Sequence, residues 1–167
     1  MGYLRDAVKE DANLLFRWAN ESTVRKNAFS SAEITYEEHI KWFDNILVCK
    51  DAKQYIYMED EPVGQIRITV NGDAAEISYS ICVEKRCMGY AKEMVGLLQV
   101  QVQKDFPGVK KLIAKVKPDN IASQKVFLDT GYTYKCNVYE IETDACGAIS
   151  KTLETNSGGG IIFNEQQ

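Results

Sequence analysis

Apolar positions recur along this chain with a period that switches between helical and alternating. Tyr3 to Val8 predicts a first strand, and Asp11 to Asn20 a helix with Leu15, Trp18 and Ala19 at helical spacing. A second helix is predicted over about 36–48, where Tyr36, His39, Ile40, Phe43 and Leu47 share one face. Thr35 followed by Glu38 reads as the capping box at its start. From Gln54 to Met58 the pattern becomes that of a strand, with Glu59 to Pro62 as its turn. Ile66, Ile68 and Val70 then alternate with Gln65, Arg67 and Thr69. Asn71-Gly72 is a hairpin signal, because a tight turn of that type needs positive φ at both central residues. The return strand, Glu76 to Val83, sets Ile77, Tyr79, Ile81 and Val83 against Glu76, Ser78, Ser80 and Cys82.

A helix is predicted from about Gly89 to Lys104, with Ala91, Met94, Val95, Leu98 and Val102 as its stripe. Pro107-Gly108 ends it and Val109 to Val116 is a strand. Pro118-Asp119-Asn120 opens another helix that stops at Gly131, and Tyr132 to Ile141 is strand again. This order predicts an α/β fold whose sheet is antiparallel at first and parallel around the Gly89 helix. Thr155 to Gly160 reads as a flexible connector, since no strand precedes its glycines and no helix follows them.

Composition narrows the function classes. The 167 residues suit one domain, and 45% hydrophobic with 26% charged residues is an ordinary globular balance. With 20 basic against 24 acidic residues, the net charge of −4 argues against a nucleic-acid partner. Five cysteines without a C-x-x-C pair support neither a disulfide framework nor a zinc ribbon, so no metal is expected. No run approaches the roughly 18 apolar residues of a membrane span, and a cytoplasmic protein without membrane contact is expected.

The candidate chemistry centres on Val83 to Lys92. A strand ending there and a helix starting there would present free amides at a positive helix end, a setting for an anion. Gly89 permits the tight turn, Ala91 is small, and Arg86 and Lys92 add charge. Arg86-x-x-Gly89-x-Ala91 resembles the R/Q-x-x-G-x-G/A signature of the GNAT superfamily of acyl-CoA-dependent N-acetyltransferases. Downstream, Asn120-x-x-Ser123-x-x-Val126-Phe127-x-x-x-Gly131-Tyr132 is similar to the family's second motif. The resemblance implies a GNAT fold: a mixed, mostly antiparallel sheet, helices on both faces and a splayed strand pair at the cofactor site. Residues 1–143 would form that single domain, and 144–167 a partly flexible extension. It implies acetyl-CoA as the acetyl donor, with its pyrophosphate on the amides of Cys87, Met88, Gly89, Tyr90, Ala91 and Lys92. The Val83 amide would polarise the thioester carbonyl, and Asn120 and Phe127 would lie along the cofactor's arm.

Catalysis then needs a base for the amine and an acid for the thiolate. Glu76 is the first choice as base and His39 the rival base or a substrate contact. Phe127 stands where many members carry a tyrosine, so Ser123 is the nominated acid, with Tyr132, Tyr134 and water as alternatives. The N-terminal half resembles the branch that acetylates nucleotide-linked amino sugars. There Arg17 and Arg25 would hold a diphosphate, and His39 and Trp42 would stack on sugar or base. An N-terminal acetyltransferase of ribosomal-protein type, another small-amine acetyltransferase, and a non-catalytic acyl-CoA-binding module are the alternatives; a homodimer is left open.

Overall fold

A computed structural model describes residues 2–135; the expected strand beyond Lys135, the glycine connector and the 144–167 extension lie outside the described residues. Strand β1 (Tyr3–Asp6) is followed by helices α1 (Ala12–Ala19), α2 (Ser22–Asn27) and α3 (Tyr36–Val48). Strands β2 (Ala52–Met58), β3 (Pro62–Asn71) and β4 (Ala74–Ile81) come next, then α4 (Tyr90–Asp105), β5 (Lys111–Ala114) and α5 (Ile121–Asp129). The sheet order is β1-β2-β3-β4-β5; the first three pairings are antiparallel and β4–β5 is parallel.

Both sheet faces are covered, and the strand alternation decides by which helices. Tyr55, Tyr57, Ile66, Ile68 and Ile77 pack with Met94, Val95, Leu98 and Val102 of α4 and with Phe127 of α5. Ile56, pointing the other way, packs with Ala12, Leu15 and Phe43 of α1 and α3. The α3 helix begins on the expected capping box, with Thr35 Oγ1 accepting from the Glu38 amide at 3.3 Å and Glu38 accepting from the Thr35 amide at 3.0 Å.

Four boundaries differ from the sequence expectation. β1 stops at Asp6. β4 stops at Ile81, and Val83–Lys85 coil into one 3-10 turn. β5 is confined to four residues, because Lys110 and Lys111 donate to the Asp73 carbonyl and Val109 turns into the core. Residues 132–135, expected to begin a strand, have no strand pairing. Helix α2 was not anticipated: it has no buried residue and hence no apolar stripe.

β4 and β5 part company within the sheet. Their ladder runs from Ala74↔Lys111 to Ile77↔Ala114 and ends, whereas β4 continues for four more residues paired, among the described residues, only with β3. The expected splayed strand pair is therefore present. It leaves an open edge on β4 leading to the turn before α4.

Candidate functional site

The turn at the end of that edge is built for an anion. Cys87 has φ +62° and Gly89 φ +88°, so left-handed residues recur at alternate positions just before a helix of 16 residues. Such alternation points successive amides into one concavity. Among the described residues the amides of Cys87, Met88, Gly89, Tyr90 and Ala91 donate to no acceptor, whereas Lys92 and Glu93 bond back to the Gly89 carbonyl. A Cβ on Gly89 would meet nothing within 4 Å, so the concavity opens to solvent and has room for a phosphate. The Val83 amide likewise donates to nothing among the described residues. These residues fit the diphosphate and thioester ends of acetyl-CoA.

Two flanking charges are already engaged. Arg86 Nη2 lies 2.6 Å from Glu21 Oε2, and Arg86 Nε donates to the Ile81 carbonyl at 3.1 Å. Glu21 also caps α2 by accepting from the Thr23 and Val24 amides. Burial alone would raise the Glu21 pKa; Arg86 and the two amides outweigh it and hold the carboxyl at about 2. Arg86 thus ties α2 to the end of β4. Lys92 Nζ is 3.5 Å from Asp129, linking α4 to α5.

Near the splay, on the α4–α5 face, the Tyr79 hydroxyl donates to Ser123 Oγ at 3.1 Å, and its ring meets Phe127 edge-on at 5.6 Å. Asn120 Oδ1 accepts from the Ser123 amide at 3.2 Å, capping α5. Phe127 is buried and also meets Tyr132, at 5.1 Å.

The opposite face of the same strands carries a polar strip. Gln54 donates to Gln65 Oε1 at 2.6 Å, and Gln65 donates to Ser80 Oγ at 3.1 Å. Further along lies a cavity of about 410 Å³ lined by Arg67, Thr69, Glu76, Ser78, Ile113 and Lys115, among others. That volume suits a small-molecule ligand. Glu76 is exposed there, paired with Lys115 Nζ at 2.8 Å and opposite Ile113, one rung before the ladder ends. A second cavity, of about 310 Å³, is lined by Asp6, Lys53 and Asp105, which pair among themselves, Lys53 Nζ lying 3.0 Å from each carboxylate. It contains none of the candidate residues.

The residues nominated for the acceptor are dispersed. His39 is 2% exposed, in a ring cluster with Phe16, Trp42 and Phe43, and its Nε2–H donates to the Ala12 carbonyl at 2.9 Å. Burial pushes its pKa down, so the ring is neutral, and it does not line the cavity. Arg25 donates to the Ala19 carbonyl at 2.6 Å and, at longer range, to those of Ser30 and Ala32. Arg17 is exposed on α1. Trp42 is half-buried with its ring 5.2 Å from the Arg67 guanidinium. Arg67, Ser78 and Tyr79 were not nominated. For Arg67 the signal was the row Gln65, Arg67, Thr69: polar residues on an interior strand that helices cover on both faces.

The profile of the acetyltransferase (GNAT) domain family matches residues 3–133. No curated protein sequence matches this chain. Solved structures with the same fold include spermidine N-acetyltransferase from Vibrio cholerae in complex with CoA and spermine, 13% identical, with TM-score 0.75 over 84% of this chain and 85% of that one. An aminoglycoside acetyltransferase in complex with coenzyme A is 18% identical, with TM-score 0.70 over 83% of this chain and 87% of that one. A ribosomal alpha-N-protein acetyltransferase in complex with coenzyme A is 18% identical, with TM-score 0.73 over 83% of this chain and 84% of that one.

Proposed function

The chain belongs to the acetyltransferase (GNAT) family, an acetyl-CoA-dependent N-acetyltransferase by that membership, and we propose that its acceptor is a primary amine presented to Glu76. The observation that carries this reading is the end of the β4–β5 ladder at Ile77↔Ala114. It leaves the β4 edge open between an unpaired amide turn on one side and the Glu76 cavity on the other. A donor laid along that edge meets an acceptor across it.

Each step is assigned to a group of this chain. Amides from Cys87 to Ala91 hold the diphosphate, with Gly89 allowing the close approach. The Val83 amide stabilises charge growing on the thioester oxygen. Glu76 accepts the amine proton, directly or through one water, so that nitrogen attacks with its lone pair free. Ser123, held by the Tyr79 hydroxyl and by the Asn120 cap, donates toward the departing thiolate; this supplies the hydroxyl that Phe127 lacks. Arg86 acts at one remove, by fixing the end of β4 against α2.

The finer reading, a nucleotide-linked amino sugar, rested on Arg17, Arg25, His39 and Trp42. Arg25 and His39 are occupied within the fold, which withdraws most of its physical support and leaves the primary amine as the reading. The names of the similar structures, a polyamine, an aminoglycoside and a protein N-terminus among their acceptors, agree with an amine and do not choose one. Glu76→Gln tests the base: kcat/KM for any accepted amine should fall by about 10²-fold or more at pH 7, with acetyl-CoA affinity unchanged. Unaltered kcat/KM would transfer the role to solvent.

A further inference from the structure

Arg67 is a largely buried cation without an ion-pair partner among the described residues. It projects from the middle of β3, and among the described residues its guanidinium makes no hydrogen bond and no ion pair; its contact is the Trp42 ring, 5.2 Å away. An arginine remains charged in a protein, and a desolvated charge without a partner is costly. Burial pulls its pKa below the ordinary value, with Glu76 opposing that shift. The guanidinium therefore has unused donors at a position where a bidentate oxyanion would recover the lost solvation.

Its location gives the ligand. Arg67 lines the cavity of about 410 Å³ that also contains Glu76, and the registers Arg67↔Ser78 and Thr69↔Glu76 put the two charges one diagonal step apart on one sheet face. Neighbours of that kind are roughly 7–8 Å apart at the backbone. Among the described lining residues the charged groups are Arg67, Lys115 and Glu76, two cations and one carboxylate. Among the described residues that wall carries one more cation than carboxylate, although the chain is net −4. A polycation would be repelled by that wall; an amine that also carries an oxyanion would satisfy both ends.

We propose that Arg67 selects the acceptor, and that this acceptor is a primary amine bearing a carboxylate or phosphate within a few bonds of its nitrogen. The oxyanion sits on Arg67, with Ser78 and Thr69 as hydroxyl neighbours, and the amine then falls beside Glu76. Trp42 holds the guanidinium plane in place from the α3 side. This inference rests on the acceptor reading of the Glu76 cavity.

The test is calorimetric binding to the full-length protein saturated with CoA, with turnover measured in parallel. The probes are matched pairs: ethanolamine and phosphoethanolamine, β-alaninamide and β-alanine, with spermidine as the polycation. At least one anionic member should bind roughly tenfold or more tighter than its neutral twin; the pair that responds distinguishes phosphate from carboxylate. In Arg67→Met the preference should fall to within about twofold while the neutral amine is little affected, and Arg67→Lys should retain part of it. Equal binding within both wild-type pairs, or tighter binding of spermidine, would overturn the proposal even if neither variant folds. An anion preference without turnover of any amine would uphold Arg67 and overturn the catalytic role of Glu76.

Discussion

His39 enters the fold as a neutral ring, its one N–H given to the Ala12 carbonyl, stacked on Phe43 and tilted against Phe16. The folded chain resists protonating it, because burial disfavours the imidazolium. The unfolded chain takes up that proton near the ordinary value of about 6.5. More protons bound when unfolded means that stability rises with pH, so this contribution is complete above that value and declines as pH falls below it. His39→Leu should lose the decline between roughly pH 7.5 and 5.5, at a cost of about 1–3 kcal/mol from the carbonyl left unpaired. Denaturant melts at the two pH values measure both effects, and an unchanged slope would put the titration elsewhere. If the same variant folds and keeps kcat/KM within about tenfold, the imidazole is not the base. Ser123 belongs to the same scale. Ser123→Ala should lower kcat and kcat/KM together with KM little changed, whereas a raised KM with kcat unchanged would reduce the hydroxyl to a binding contact.

At the scale of elements, α2 shows how a helix forms without an apolar face. Six residues with no buried side chain cannot dock by burial, so the helix is retained at its ends: Glu21 caps its start and pairs with Arg86, and Lys117 donates to the Lys26 carbonyl at 2.9 Å. Because the folded chain holds Glu21 ionised down to about 2, its contribution is present above the ordinary 4.5 and is lost as pH falls through the folded value. Glu21→Gln should therefore cost about 1–3 kcal/mol at neutral pH, and melts of the two proteins should converge between pH 5 and 2. A gap constant across that window would mean that packing of the side chain, not its charge, holds α2. The same physics explains why the sequence did not reveal this helix. Periodicity reports burial, and it located α3, the β2–β3–β4 meander and α4 because each has a buried stripe. It is silent about a helix tethered by polar caps, and about the exact rung at which β5 leaves β4, which depends on turn hydrogen bonds at Asp73.

For the whole molecule, the sheet is a partition with an opening. The unpaired amides lie at the α4 turn and the Glu76 cavity lies on the face toward α3; on the proposed reading donor and acceptor meet through the gap where the described β4–β5 ladder ends at Ile77↔Ala114. The amide turn before α4 was legible because it is local: contiguous amides and a glycine follow one another in order along the chain. The acceptor side was less so, because Arg67 and Glu76 meet only through a strand register, while Arg25 and His39 resemble site residues until their backbone partners are known. Binding on the donor side should also be felt globally. CoA at about 100 times its Kd stabilises the folded chain by about 2.7 kcal/mol, a rise in Tm of roughly 5–11 °C for a domain of this size. Gly89 makes this a test of the site and not merely of affinity. At φ +88° any other residue costs about 1–2 kcal/mol of backbone strain, so Gly89→Ala and Gly89→Glu should both melt earlier than wild type. The open space beyond the missing Cβ lets the alanine variant keep most of the CoA-induced shift, whereas the glutamate variant puts a carboxylate where the diphosphate belongs and should lose it. Calorimetric melts with and without CoA decide the matter: an undiminished shift in Gly89→Glu would place the diphosphate away from the α4 turn.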